Sequence, residues 1–115
     1  MGAAAMTIRR ATEADTPALL ALQRACFPPD LHDDEADLRE MLRTAVYLVA
    51  CVPGVVGAAI GLPGDPFHVY AVEVHPDSRG QGAGAALVAA LLEHAGERRV
   101  TADAATFAFP ENPCR

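Results

Sequence analysis

Hydrophobic residues in the first third of the chain are spaced as in one strand followed by two helices. Residues 7–10 predict a short opening strand, and the apolar positions between Ala18 and Ala25 recur at helical spacing. The first helix ends near Phe27, because the two prolines that follow cannot continue the hydrogen-bond ladder. A second helix is predicted to begin at Asp33 or Asp34 and to end at Arg43.

The middle of the chain is apolar and carries no charge from residue 45 to residue 62. The dipeptide Pro53-Gly54 divides this stretch, and it would break a membrane-spanning helix but suits the turn of a hairpin. We therefore predict an antiparallel hairpin of strands 46–52 and 55–62, and no membrane span. Both strands are almost continuously apolar, which predicts that each is covered on both faces.

The last third of the chain predicts a strand, a helix and another strand. Residues 67–74 form the first of these, and a helix then runs from about Gly82 to Ala95, with Gly96 at the usual capping position. Residues 98–107 predict the final strand. Together the elements predict a single α/β domain over residues 6–115, preceded by a disordered extension of residues 1–5.

Composition and charge narrow the classes of function. The chain has 115 residues, a net charge of −6 and a pI near 5.0, which argues against nucleic-acid binding, since such proteins usually carry a basic face. The acidity suits both a cationic substrate and simple solubility. Cys26, Cys51 and Cys114 show no metal-binding spacing and are odd in number, so we expect no metal and a cytoplasmic location.

The segment of residues 72–85, VEVHPDSRGQGAGA, carries the most specific chemistry. It leaves a strand, turns, and enters a helix whose start holds Gly80, Gly82 and Gly84. Glycines expose main-chain N–H groups and let a ligand approach without a Cβ in the way. These N–H groups and the positive end of the helix dipole predict a site for phosphate oxygens, to which Arg79 adds a charged donor.

This segment resembles the acetyl-coenzyme A signature of the GNAT superfamily of N-acetyltransferases. The signature is an Arg or Gln, two variable residues, Gly, one variable residue, and Gly or Ala, and RGQGAG at residues 79–84 matches it. The opening strand, the two helices and the hairpin also fit the family's order of elements. The resemblance implies a GNAT-like mixed, mostly antiparallel sheet with flanking helices and a parallel βαβ unit that binds coenzyme A.

The resemblance also implies contacts to acetyl-coenzyme A as co-substrate. Main-chain groups of Val72, Glu73 and Val74 would pair with the pantetheine arm. Asn112 matches an asparagine that touches coenzyme A at the start of a later helix in the family. The pyrophosphate would be held by the main-chain amides of residues 79–85, which are Arg79, Gly80, Gln81, Gly82, Ala83, Gly84 and Ala85.

Three residues of the strand 67–74 are candidates for proton transfer, since an attacking amine must lose a proton near the thioester. Some members of the family carry their base at the position that matches His68, and Tyr70 and Glu73 are further candidates. Strict alternation predicts His68 and Tyr70 on one face with Val72 and Val74, and Glu73 on the other. The structural alternatives are a partly exposed histidine without a role, a packed tyrosine and a water-facing glutamate.

Two other interpretations of the glycines stay open. Gly80, Gly82 and Ala85 also satisfy the G-x-G-x-x-A pattern of a dinucleotide-binding fold, with Asp103 about 20 residues onward. Against that fold, five residues separate the strand from Gly80, and few residues follow Asp103. The other interpretation is a glycine-rich helix start without a ligand.

The resemblance implies that the acceptor side is built largely from the first two helices and their connecting loop, here residues 27–35, which contain four acidic residues. These residues suit either the attraction of a cationic amine or a solvated helix start, and they are Asp30, Asp33, Asp34 and Glu35.

The end of the chain departs from the family's pattern. The family continues after its fifth strand with a helix, whose tyrosine protonates the departing thiolate, and two more strands. This sequence ends at Arg115, and no tyrosine follows Tyr70. We therefore expect either an N-acetyltransferase acting on a small-molecule or peptide amine, or a catalytically weak coenzyme A-binding module acting through oligomerisation. An exposed sheet edge would favour a homodimer.

Overall fold

The computed structural model of the protein describes residues 5–102 and 107–108. Residues 1–4, Asp103, Asn112 and Cys114 lie outside the described residues. The elements are, in chain order, β1 (Thr7–Arg10), α1 (Thr16–Cys26), α2 (Glu35–Thr44), β2 (Val46–Cys51), β3 (Val55–Leu62), β4 (Phe67–Val74), α3 (Ala83–Ala95), β5 (Val100–Ala102) and β6 (Phe107–Ala108).

Strands β1 to β5 form one sheet in chain order. The pairs from β1 to β4 are antiparallel, whereas β5 and β6 both pair with β4 in parallel. The connection from β4 through α3 to β5 is therefore the expected parallel βαβ unit, and the predicted mostly antiparallel α/β fold is confirmed. A dinucleotide-binding fold needs a doubly wound parallel sheet, so that interpretation of the glycines is wrong.

Helices cover both faces of the sheet. Leu19 and Leu22 of α1 and Leu38 of α2 pack in a cluster on one face, while Leu87 and Leu91 of α3 pack in a second cluster on the other. All six residues of β2 are buried, as its continuous apolar character predicts. Burial of each such side chain contributes about 1.5–3 kcal/mol to folding.

Side-chain hydrogen bonds fix the helices next to the sheet. The carboxylate of Asp15 accepts two bonds from the Arg9 guanidinium, at 2.8 and 2.9 Å, which ties the start of α1 to β1. Asp34 caps α2, because its Oδ1 accepts a bond from the N–H of Asp37 at 2.8 Å. Within the described residues, no helix has the length and apolar character needed to cross a bilayer.

The prediction of one last strand over residues 98–107 is wrong, because the structure has β5 (Val100–Ala102) and a separate β6 (Phe107–Ala108), and β5 also begins later than predicted. The sequence predicts a strand from residue 98, but β5 begins at Val100. The reason is that Arg98 caps α3: its Nε donates to the carbonyl of Ala95 at 3.1 Å, and its Nη2 donates to that of His94 at 2.9 Å. The unpaired carbonyls at the helix end are thereby satisfied at the expense of two strand residues.

Candidate functional site

The connection from β4 to α3 presents a turn of exposed main chain. Gly80 and Gly82 both have a φ of +86°, and no heavy atom lies within 4 Å of the position of an added Cβ at either residue. This left-handed conformation is one that glycine adopts without strain. Gly82 is also the N-cap of α3, and the N–H groups of the first helical turn have no acceptor within the helix. The turn is therefore suited to bind an anion.

An open cleft lies at this turn. It brings together most of the residues that the sequence predicts for the pyrophosphate. Gln81 is exposed and lies outside the walls of the cleft. Ser78 also lines the cleft and is not a sequence candidate, although it directly precedes Arg79 of the RGQGAG segment. The walls consist of Val74, Ser78, Arg79, Gly80, Gly82, Ala83, Gly84 and Ala85.

The Arg79 side chain is held at the rim of the cleft by the end of β4. Its Nε donates to the carbonyl of Val74 at 3.0 Å, and its Nη2 lies 3.9 Å from the Sγ of Cys26. The thiol of Cys26 donates to the same carbonyl at 3.3 Å. Two side chains thus satisfy the Val74 carbonyl, and they fix a positive charge beside the glycine turn.

The edge of β4 that the resemblance assigns to pantetheine is paired with β6. Phe107 is the register partner of Val72, and Ala108 is that of Glu73. The other edge of β4 pairs with β3. A strand edge offers one row of N–H and C=O groups, so pantetheine can pair there only after β6 has left.

A β-bulge in β4 changes which side chains share a face. Ile60 pairs with Ala71 and Gly61 with Val69, so that Tyr70 has no partner on β3. The alternation therefore shifts by one residue at Tyr70. The prediction that His68 and Tyr70 lie on the same face as Val72 and Val74 is wrong.

The two faces of β4 are instead divided as follows. Val69 and Val72 both pack in the cluster under α3, together with Phe67 and Val74. Ala71 packs in the cluster under α1 and α2. His68, which follows Phe67 and precedes Val69, points to this same side, as does Glu73 between Val72 and Val74.

Glu73 is buried on this α1–α2 side of the sheet. Its side chain is 3% exposed, and its Oε1 has no hydrogen-bond partner. Burial, and secondly the charge of Asp33, raise the pKa of Glu73 to about 8. The alternative of a water-facing glutamate is therefore wrong.

Tyr47 of β2 lies on the same face and was not a sequence candidate. It is 1% exposed, and its hydroxyl also has no hydrogen-bond partner. Burial raises the pKa of Tyr47 well above its usual value, and the charges of Glu73 and Asp33 add to the effect. The hydroxyl therefore stays protonated at any working pH. A lone tyrosine in the apolar run of β2 was the only available signal.

Of the four acidic residues on the acceptor side, Asp33 is the one whose charge acts on these buried groups. Its main-chain N–H donates to the Oε1 of buried Gln23 at 2.7 Å, which holds the α1–α2 connection against α1. Burial, and then Asp37 and Asp34, raise the pKa of Asp33. Asp34 caps α2, as described above. Asp30 and Glu35 are exposed, and Glu35 pairs with Arg39 at 2.8 Å.

His68 and Tyr70 are more exposed than Glu73 and Tyr47. The Nδ1 of His68 is 2.7 Å from the Oγ1 of Thr101, its register partner on β5. Tyr70 is 42% exposed, and burial of the remainder, with the charges of Asp33 and Asp37, raises its pKa.

Comparison with known proteins identifies the class to which this fold and cleft belong. Residues 16–112 match the model of the acetyltransferase (GNAT) family. The chain belongs to this family of acetyltransferases, whose co-substrate is acetyl-coenzyme A, so the resemblance drawn from RGQGAG is confirmed. A comparison of the sequence with curated proteins finds no match.

Solved structures of the same fold come from several organisms. One is the ribosomal-protein-alanine N-acetyltransferase from Brucella melitensis, with 32% identity and a TM-score of 0.65 over 77% of this chain and 66% of that chain. Another is an acetyltransferase from Trypanosoma brucei, with 26% identity and a TM-score of 0.70 over 87% and 83%. A third is Rv2747 from Mycobacterium tuberculosis in complex with CoA and NLQ, with 29% identity and a TM-score of 0.67 over 77% and 57%. This chain spans only 57–59% of the length of several similar structures.

Proposed function

We propose that this chain binds acetyl-coenzyme A and transfers the acetyl group directly to a primary amine of a small molecule or a peptide. The observation that carries the proposal is the cleft at the start of α3, with its two left-handed glycines and the adjacent Arg79. Each hydrogen bond to a charged phosphate contributes about 1.5–3 kcal/mol, so a few main-chain amides suffice to bind a pyrophosphate on a chain of net charge −6. The complex of Rv2747 with CoA supports the same ligand for this fold.

The acceptor amine reaches the thioester from the α1–α2 side of β4. His68, Tyr70 and Glu73 belong to this side, and Asp33 lies near it in the connection between α1 and α2. An anionic loop attracts a cationic amine. A lysine-like amine has a pKa near 10.4, so the acceptor must lose a proton before it attacks the carbonyl. The ribosomal-protein-alanine N-acetyltransferase among the similar structures supports a peptide amine as one type of acceptor.

A catalytically weak coenzyme A-binding module acting through oligomerisation is the second candidate function. The observation that favours it is the pairing of β6 with Val72 and Glu73, because this pairing takes the edge on which pantetheine would lie. Both candidates share the pyrophosphate site and differ in turnover.

Titration calorimetry with acetyl-coenzyme A tests the shared site. We expect heat of binding for the parent chain and a loss of at least tenfold in affinity for Gly82→Asp, because a carboxylate then stands where phosphate binds. Gly82→Asn is the matched control, since asparagine imposes the same backbone demand without the charge. Gly96→Asp places the same charge at the other end of α3, where φ is +62° and space is open, and should retain binding. Equal affinities for Gly82→Asp and Gly82→Asn would contradict the placement.

Turnover separates the two candidates. Release of free thiol from acetyl-coenzyme A is measured with a panel of small-molecule and peptide amines. Thiol release that depends on the amine supports the transferase. Binding of acetyl-coenzyme A without amine-dependent release supports the binding module, and sedimentation analysis of the same sample then shows whether it is a homodimer.

A further inference from the structure

Two buried polar atoms are unpaired in the described part of the chain, and both belong to the side of the sheet that α1 and α2 cover. They are the hydroxyl of Tyr47 and the Oε1 of Glu73. An unpaired buried polar group normally destabilises the fold, which is why nearly all such groups in proteins have partners. Two of them on one face of one sheet point to a task beyond stability.

The register places these two side chains within reach of one another. Tyr47 pairs with Ile60 and Ile60 with Ala71, while Ala58 pairs with Glu73. Tyr47 on β2 and Glu73 on β4 are therefore separated by β3, and they belong to neighbouring rows of side chains on the same face. The backbones of β2 and β4 are about 10 Å apart. The other side chains of these two rows are Ile60 and Ala71 in the row of Tyr47, and Val49 and Ala58 in the row of Glu73. Burial raises the pKa of the Tyr47 hydroxyl, and the charge of Glu73 adds to the rise.

We propose that Glu73 accepts the proton of the incoming amine and that Tyr47 is its positioning residue, the phenol donating a hydrogen bond to the ionised carboxylate directly or through one water. This inference rests on the proposed acetyl transfer. Tyr47 acts only through Glu73 and does not touch the substrate. The charge that acts on Glu73 is that of Asp33 in the α1–α2 connection, Tyr70 of β4 acts on Tyr47, and Cys26 of α1 bonds the carbonyl of Val74.

The step balances as follows. The ammonium of the acceptor gives one proton to the Glu73 carboxylate and becomes a neutral amine. The amine nitrogen forms a bond to the thioester carbonyl carbon, the carbon–sulfur bond breaks, and the thiolate of coenzyme A leaves. The second proton of the nitrogen goes to that thiolate, and Glu73 later returns its proton to the solvent. A carboxyl with a pKa near the working pH suits this cycle, since it both accepts and releases the proton.

The first test is the pH dependence of kcat/KM for one amine at saturating acetyl-coenzyme A. Tyr47→Phe removes a donor to the charged form, which raises the pKa of Glu73, so the acid limb should move to higher pH by about one unit. Glu73→Gln should abolish the acid limb that Glu73 contributes to the pH profile, and it should lower the rate by about 100-fold or more. Thr44→Val removes an exposed hydroxyl at the end of α2, which bonds only the carbonyl of Glu40, and should leave the acid limb in place. The amine substrate titrates in the same way with the parent and with every variant, so its effect cancels when their pH profiles are compared.

The second test needs no turnover. Infrared difference spectra follow the protonated carboxyl of Glu73 through a pH titration, with Glu73→Gln identifying the band. We expect the titration midpoint to rise by a similar amount in Tyr47→Phe. An unchanged midpoint in folded Tyr47→Phe would overturn the coupling, even if the parent chain fails to bind acetyl-coenzyme A. If the acid limb of the kcat/KM profile were lost in His68→Ala and kept in Glu73→Gln, Glu73 would not be the proton acceptor. The proposal of acetyl transfer would be unaffected by that result.

Discussion

At the scale of single residues, the burial of Glu73 makes the stability of the fold depend on pH. Burial raises the pKa of Glu73 from 4.5 to about 8, so between these values the folded state binds more protons than the unfolded chain. The contribution of Glu73 to the free energy of unfolding is therefore fully present below about pH 4.5, and it is lost as the pH rises through about 8. Full ionisation costs a few kcal/mol at most.

Glu73→Gln removes this dependence, because a glutamine does not ionise. We expect the variant and the parent to unfold at similar denaturant concentrations at pH 5. At pH 9 the variant should be more stable by a few kcal/mol, since only the parent then buries a charge. Glu35→Gln is the exposed control and should follow the parent at both values. Parallel stability curves for the Glu73→Gln variant and the parent would show that Glu73 is not buried as described.

The sequence predicts the identity of Glu73 as a candidate but not its environment. A charged residue in an apolar strand is visible in the sequence, yet its burial depends on α1 and on the α1–α2 connection, which are far away along the chain. Tyr47 is not a sequence candidate for the same reason: aromatic residues are common in strands, and only the tertiary structure shows that its buried hydroxyl is unpaired. The glycine turn was predictable because its chemistry is local, in the backbone of residues 79–85.

At the scale of elements, the bulge in β4 is not predicted by the strict alternation of side chains between the two faces of a strand. The sequence around Tyr70 carries no glycine or proline to indicate it, and the register with β3 alone reveals it. The bulge brings His68, Ala71 and Glu73 to the α1–α2 side, whereas strict alternation separates His68 from the other two. Helix and strand bounds were predicted to within a residue or two where hydrophobic period and capping agree, as in α3.

The pairing of β6 with β4 predicts that the cofactor and β6 compete for one strand edge. Hydrogen exchange measured with and without acetyl-coenzyme A should show faster exchange of the amides of Phe107 and Ala108 in the complex, because pantetheine takes their partners on β4. The amides of β3, on the other edge, should keep their protection. Ala108→Pro removes a donor from β6 and should raise affinity for acetyl-coenzyme A several-fold. Slower exchange in β6 on binding would contradict the competition.

At the scale of the whole molecule, the order of elements was predictable and the length of the last strand was not. Hydrophobic spacing, the Pro53-Gly54 turn and the glycine-rich helix start each specify one element, and together they give the observed sheet order. The strand after α3 begins later than predicted because Arg98 caps the helix from a position that also suits a strand. An arginine satisfies either role, so only the packed structure decides between them.

The net charge of −6 gives the whole molecule a field that favours cationic acceptors, and this preference should depend on salt. We expect kcat/KM for a diamine, at saturating acetyl-coenzyme A, to fall several-fold as the Debye length shortens from about 30 Å at 0.01 M salt to about 8 Å at 0.15 M. An amine of similar size that also carries a carboxylate should show a much weaker dependence. Asp33→Asn should reduce the salt dependence for the diamine more than Asp65→Asn does, because Asp33 lies over the acceptor side, whereas Asp65 lies in the loop before β4 near Arg99. Equal slopes for the two amines would show that the acidity of the chain serves solubility and does not steer the acceptor.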